Sequence, residues 1–172
     1  MFHLSSKKEI KFKIIDYREL YEYISLLSKD YNCLFDIDFF KRYNIIKSYN
    51  ANFSQIFLIS SKKIPNIVLD ELNIYSPGIS ILKISNKVIL PQLPLGNLMV
   101  KYCKNKLSLP EPILMKILYG KDVEVREKYR FKYALLISKY NEFLGFIKIK
   151  QHRNGSKIIP EKDIGWYLRE SG

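Results

Sequence analysis

The chain has 172 residues, 47% hydrophobic and 27% charged, enough for one globular domain or two small ones. Its 29 Lys+Arg against 17 Asp+Glu leave a net charge of +12, which speaks about partners rather than fold and points to nucleic acid before an anionic membrane. No apolar run approaches the ~20 residues that span a bilayer, and MFHLSSKKEIKFK lacks an apolar core of signal-peptide length, so an intracellular, cytoplasmic protein with no membrane partner is expected.

The first periodic segment is YRELYEYISLLSKDY (17–31). Leu20, Tyr23, Ile24 and Leu27 fall at helical spacing, and Asp16 stands ready to cap the start. FDIDFFKRY (35–43) reads as a second, shorter helix. QIFLIS (55–60) reads as a buried strand. IPNIVLDELN (64–73) starts with a proline in its first turn and holds Ile67, Val68 and Leu72 in helical register. SPG (76–78) breaks that pattern. SILKIS (80–85) and KVILP (87–91) form a strand pair turned at Ser85–Asn86.

PQLPLG (91–96) packs three breakers into six residues and marks the domain boundary, giving domains 1–90 and 91–172. The charge divides unevenly between them, net +4 and net +8. LGNLMVKYCKNKL (95–107) reads as a helix stopped by PEP (110–112), and ILMKILYG (113–120) as a strand ending at a glycine turn. KYALLISK (132–139) and FLGFIKIKQ (143–151) are strands joined at Tyr140–Asn141–Glu142. Asn154–Gly155 in HRNGSK is the strongest hairpin signal in the chain. A short helix over KDIGWYLRE (162–170), opened by Lys162, is expected to close the fold. Gly165 inside that helix costs about 1 kcal/mol relative to alanine, which a close approach to the sheet offsets. The fold class is α+β, an N-terminal antiparallel sheet with helices followed by a smaller β-rich domain.

Motifs for chemistry are scarce. The seven glycines are scattered singly, so no phosphate-cradling loop exists. His3 and His152 lack a Ser or Cys partner at recognisable spacing. Asp36 and Asp38 read as a solvated face, with a paired-carboxylate site as the alternative. Cys33 and Cys103 form no zinc pattern and are expected to be buried free thiols, with a disulfide as the alternative. No cofactor and no catalytic residue is expected.

The positive signal is electrostatic. In strand 143–151 the period is two, so Phe146, Lys148 and Lys150 oppose Ile147 and Ile149. Arg153, Lys157 and Lys162 follow. Arg126, Lys128, Arg130 and Lys132 alternate through REKYRFK upstream. These cations are the candidate RNA-binding set, above all Lys148, Lys150, Arg153, Lys157, Lys162, Arg130 and Lys132, for a groove tracking a phosphate backbone. The plain alternative is a lysine-coated, solvated sheet. Trp166, Phe146 and Tyr140 are candidate stacking aromatics, with packing as the alternative for Trp166.

LYGKDV (118–123), YALLISKYNEFLGFIKI (133–149) and IIPEKDIGWYLRE (158–170) together resemble a PUA domain, a small RNA-binding pseudo-barrel closed by a short helix. With YSPG (75–78) and the terminal D-I-G-W-Y-L-R, the chain is similar to the Nip-seven family of ribosome-biogenesis factors in its archaeal form, most closely over 113–170. The resemblance implies a non-enzymatic factor of large-subunit assembly and pre-rRNA processing. Its PUA domain would bind uridine-rich or single-stranded RNA, and its N-terminal domain would meet other assembly factors and exosome subunits. A monomer is expected. In that family a pair of arginines sits in the hairpin before the last helix, with lysines just after. Gly155 and Ser156 stand at the arginine positions here, and Lys162 matches a basic one. The other readings are an RNA-modifying enzyme and a translation factor, each carrying a PUA domain.

Overall fold

The computed structural model describes residues 10–49, 51–60, 76–85 and 88–165. The architecture is α+β and contains two five-stranded sheets. The chain divides into two compact units: Met1–Glu22 with Ile37–Leu90, and Tyr23–Asp36 with Pro91–Gly172. The predicted helix over 64–73, the Ser85–Asn86 turn and the aromatic Trp166 lie wholly or partly outside the described residues.

The first unit orders its strands β1-β2-β3-β4-β5, with β1 Lys11–Ile15, β2 Asn44–Tyr49, β3 Ser54–Ile59, β4 Ile79–Ser85 and β5 Val88–Pro91. The pairings from β1 through β4 are antiparallel. Phe12, Ile46 and Phe57 form a small core on one face, with the Phe12 and Phe57 rings edge to face at 6.0 Å. Helix α1, Tyr17–Tyr31, starts in this unit. The Asp16 carboxylate accepts the Glu19 amide hydrogen at 2.8 Å and so satisfies one of the four orphan donors of the first turn. The segment expected as a second helix is a 3-10 helix, Ile37–Arg42, seated by buried Phe40.

The second unit contains helices α2, Leu93–Tyr102, and α3, Glu111–Leu118. Its sheet runs β6-β8-β9-β10-β7, with β6 Lys106–Ser108, β7 Val123–Val125, β8 Tyr133–Ile137, β9 Phe143–His152 and β10 Gly155–Asp163. All of its pairings are antiparallel except β6 with β8. Leu107, Ile117, Ala134, Leu136, Ile147 and Ile158 form the core on one sheet face.

Four expectations are corrected here. Residues 113–118 belong to a helix, Glu111–Leu118, not to a strand. Pro110 at the N-cap and Pro112 in the first turn start it, since proline's missing N–H is an orphan there anyway. Ile113, Leu114, Ile117 and Leu118 then face the core at helical spacing. Gly120, at φ 76°, ends it: its N–H bonds the Ile117 carbonyl and the Lys121 N–H bonds that of Lys116, a Schellman closure. The helix expected to run to 107 stops at Tyr102, because Cys103–Asn105 leave it to pair with the 31–34 segment: Lys104 N–H bonds the Asn32 carbonyl and Leu34 N–H that of Tyr102.

The third correction concerns the thiols. Cys33 and Cys103 are buried as expected, but they face each other across that bridge and are joined as a disulfide.

The fourth concerns the end of the fold. Residues 158–163, expected to lead into and open the closing helix, are strand. They extend β10, which pairs with β9 as far as Asp163 opposite Gly145. Proline is tolerated within this strand because the register shifts between Pro160 and Lys162, a bulge at Glu161. Lys162 is therefore a strand residue. Ile164 and Gly165 form a turn, and residues 166–170 of the expected helix lie outside the described residues. Gly165 does make a close approach, but onto the end of α3: a Cβ there would run into the Leu118 carbonyl oxygen.

Candidate nucleic-acid interface

The β9–β10 hairpin turns on Arg153 and Asn154, one residue earlier than the Asn-Gly signal suggests, with His152 opposite Gly155. Gly155 holds φ 151°, and a Cβ there would collide with the Val125 carbonyl of β7. Only glycine meets both demands. Ser156 is fully buried on the core side, its hydroxyl without a hydrogen-bond partner. Gly155 and Ser156 are thus both buried, and charge at this end of β10 can reach solvent only from the residues that flank them.

It does so on one face. Strand alternation sends Ile147 and Ile149 into the core, and Lys148 and Lys150 to the opposite side. The register carries the pattern onto β10, where Lys150 stands opposite Lys157, Lys148 opposite Ile159, and Phe146 opposite Lys162. Four of the predicted cations, Lys148, Lys150, Lys157 and Lys162, therefore share a sheet face, and Arg153 stands at the turn that joins the two strands. Lys150 is exposed, Lys148 and Lys157 are half-buried, and Arg153 is exposed at the hairpin turn.

These five cations are not equivalent. Lys157 pairs with Asp122 at 2.8 Å, and that hydrogen bond, followed by the carboxylate's charge, raises its pKa above the usual lysine value. Lys162 lies one row further from the hairpin than Lys148, and its ammonium donates to the Gln92 side-chain oxygen. Lys148, Lys150 and Arg153 make no ion pair among the described residues. Glu124, opposite Lys157 on β7, and Glu161 in the bulge are exposed acids beside the set.

The upstream cations lie in the connection between β7 and β8 rather than on a strand. Tyr129 and Phe131 pack on the core while Lys128, Arg130 and Lys132 stay exposed, so the inside–outside alternation holds without a ladder. The Ile149 amide bonds the Lys132 carbonyl at 2.7 Å, which ties this segment to β9. Lys132 and Lys148 both approach the Tyr133 ring, at 5.2 and 5.9 Å from its centroid. Arg130 is exposed and joins no recorded contact of this group.

The stacking candidates change. Phe146 is not exposed: at 1% accessibility it packs against Phe143 and Tyr31, with ring centroids 4.8 and 5.8 Å away. Tyr140 is 73% exposed, but it sits in the β8–β9 turn at the opposite end of β9 from Arg153. A ten-residue strand separates them by about 30 Å. The aromatic on the basic face is Tyr133, opposite Lys148. Sequence reasoning passed over it because it begins an apolar run, and only the register puts it beside the lysines. Asp122 was missed as a counter-ion for the same reason.

Among the described residues no group of three or more His, Cys, Asp or Glu could hold a metal ion, and no helix is long and apolar enough to cross a membrane. No protein-family model matches this sequence, and no curated protein matches it.

Proposed function

We propose that this chain is a non-enzymatic RNA-binding factor whose second unit is a PUA-type pseudo-barrel gripping RNA through the β9–β10 face. The observation that carries the proposal is the Lys150–Lys157 cross-strand pair. Like charges placed directly opposite one another weaken a ladder. Asp122 and Glu124 offset Lys157, Lys150 makes no ion pair among the described residues, and Lys148 and Arg153 add two more cations nearby. Such a face is best completed by a polyanion, which neutralises several cations at once and releases its own counterions. The net +12 of the chain, concentrated in residues 91–172, supports the same reading.

The place of action rests on the likeness of residues 113–170 and the D-I-G-W-Y-L-R stretch to the Nip-seven family: biogenesis of the large ribosomal subunit and pre-rRNA processing, with a preference for uridine-rich or single-stranded RNA. The proposal gives the first unit the protein contacts, to other assembly factors or exosome subunits, and places a monomeric protein in the cytoplasm (the nucleolus in a eukaryote). In-cell ultraviolet crosslinking and sequencing tests it. Enrichment of precursor large-subunit rRNA is expected. Reads concentrated on transfer RNA or small-subunit rRNA contradict the assignment and favour a translation factor.

A further inference from the structure

The basic face holds one side chain that charge alone leaves without a use. Tyr133 opens β8, half-buried, opposite Lys148, and Lys148 stands opposite Ile159 on β10. The face thus carries an aromatic–cation–aliphatic row, with the Lys150–Lys157 row next to it on the hairpin side. Behind the Tyr133 ring lies buried Tyr31, at 5.8 Å between centroids and tilted by 36°. Tyr31 in turn meets Phe146 edge to face. The Asn105 side-chain amide donates to the Tyr133 carbonyl at 3.2 Å, and also to that of Asp30. The ring is therefore packed against buried Tyr31, and the Lys132 and Lys148 ammonium groups lie over it on flexible stems that an incoming base can displace.

We infer that Tyr133 is the stacking platform for one unpaired base of a single-stranded nucleic acid, with Lys132 and Lys148 taking the flanking phosphates. This rests on the RNA-binding reading and names what that face selects. A base stacks on an aromatic ring whatever its identity, because every base has a π-face. A duplex keeps its bases stacked on one another and has none to offer. The tyrosine thus converts a surface that attracts any polyanion into one that prefers unpaired strands. Ile159, beside Lys148, widens the apolar floor.

The test titrates the full chain with three probes by fluorescence anisotropy: an oligouridine strand, the same strand with abasic sites, and an RNA duplex. Wild type should bind the strand about tenfold more tightly than the abasic probe, the ratio expected for one stacked base. The duplex should also bind more weakly than the strand. Tyr133→Leu should bind strand and abasic probe alike, while Tyr133→Phe should keep the wild-type ratio. The abasic comparison is made on wild-type protein and does not depend on the leucine variant folding. Equal binding of strand and abasic probe by wild type overturns the platform and leaves the electrostatic reading standing. Absence of binding to all three probes overturns both.

Discussion

Lys150 and Lys157 face each other directly across the β9–β10 ladder, one exposed and the other tied to Asp122. The pair gives the fold nothing that a Lys–Glu pair would not give better. Lys150→Glu is therefore expected to raise the melting temperature slightly while weakening RNA binding. The slope of log affinity against log salt should also shrink by about one for the lost phosphate contact. Calorimetry and a salt series on the same variant check both. Loss of stability together with loss of binding would mean the lysine is structural.

The disulfide closes a loop of 70 residues between Cys33 and Cys103. Loop closure of that size is expected to contribute about 4 kcal/mol through the unfolded state. Reduction should lower the melting temperature of wild type and leave Cys33→Ser/Cys103→Ser unmoved. Intracellular structural disulfides are uncommon outside hyperthermophiles, so counting free thiols in protein purified without reductant is the direct check. Two reactive thiols per unfolded chain would show that the pairing does not form.

Gly165 lies against the last carbonyl of α3, where backbone cannot retreat as a side chain can. Gly165→Ala should cost about 1–3 kcal/mol by overpacking, and Gly165→Val more. Thermal melts of the two variants test the order. An alanine variant as stable as wild type would remove the close approach from the account.

Tyr31 is 3% exposed, and burial, reinforced by Glu161, Asp30 and Tyr133, raises its pKa well above the ordinary value of 10.0. In the folded state the phenol keeps its proton. Above pH 10 the unfolded chain loses it, so the stabilisation held below that pH drains away as pH rises. Tyr31→Phe has no proton to lose. Its melting temperature should fall less than that of wild type between pH 8 and roughly pH 11. Parallel falls in the two proteins would contradict the assignment.

How much of this could be read from the residues depends on how local each signal is. Helix α1 was legible because cap and period sit within one segment: Asp16 and then Leu20, Ile24 and Leu27. Strands β8 and β9 were legible from alternation and length, and with them the shared face of Lys148 and Lys150. Helix α3 was not, because an apolar run of eight fits helix or strand, and the proline signal at Pro110–Pro112 was read as a stop rather than a start. The end of the fold misled for a related reason. Pro160 suits a helix entry locally, and only pairing with β9 makes 158–163 a strand. The disulfide joins residues 70 apart and leaves no local trace. In the candidate site the cations were legible as types, whereas Tyr133, Asp122 and the burial of Phe146 depend on register and packing.

The central claim is that the β9–β10 face binds RNA, and the measurement closest to it is a titration of uridine-rich single-stranded RNA at two salt concentrations. Wild type and Lys148→Glu/Lys150→Glu/Arg153→Glu should be compared, three exposed or half-buried positions whose reversal leaves the core untouched. The account predicts salt-sensitive binding by wild type that the variant loses. A variant that is folded and binds as tightly as wild type would contradict it and place the RNA contact elsewhere on the chain.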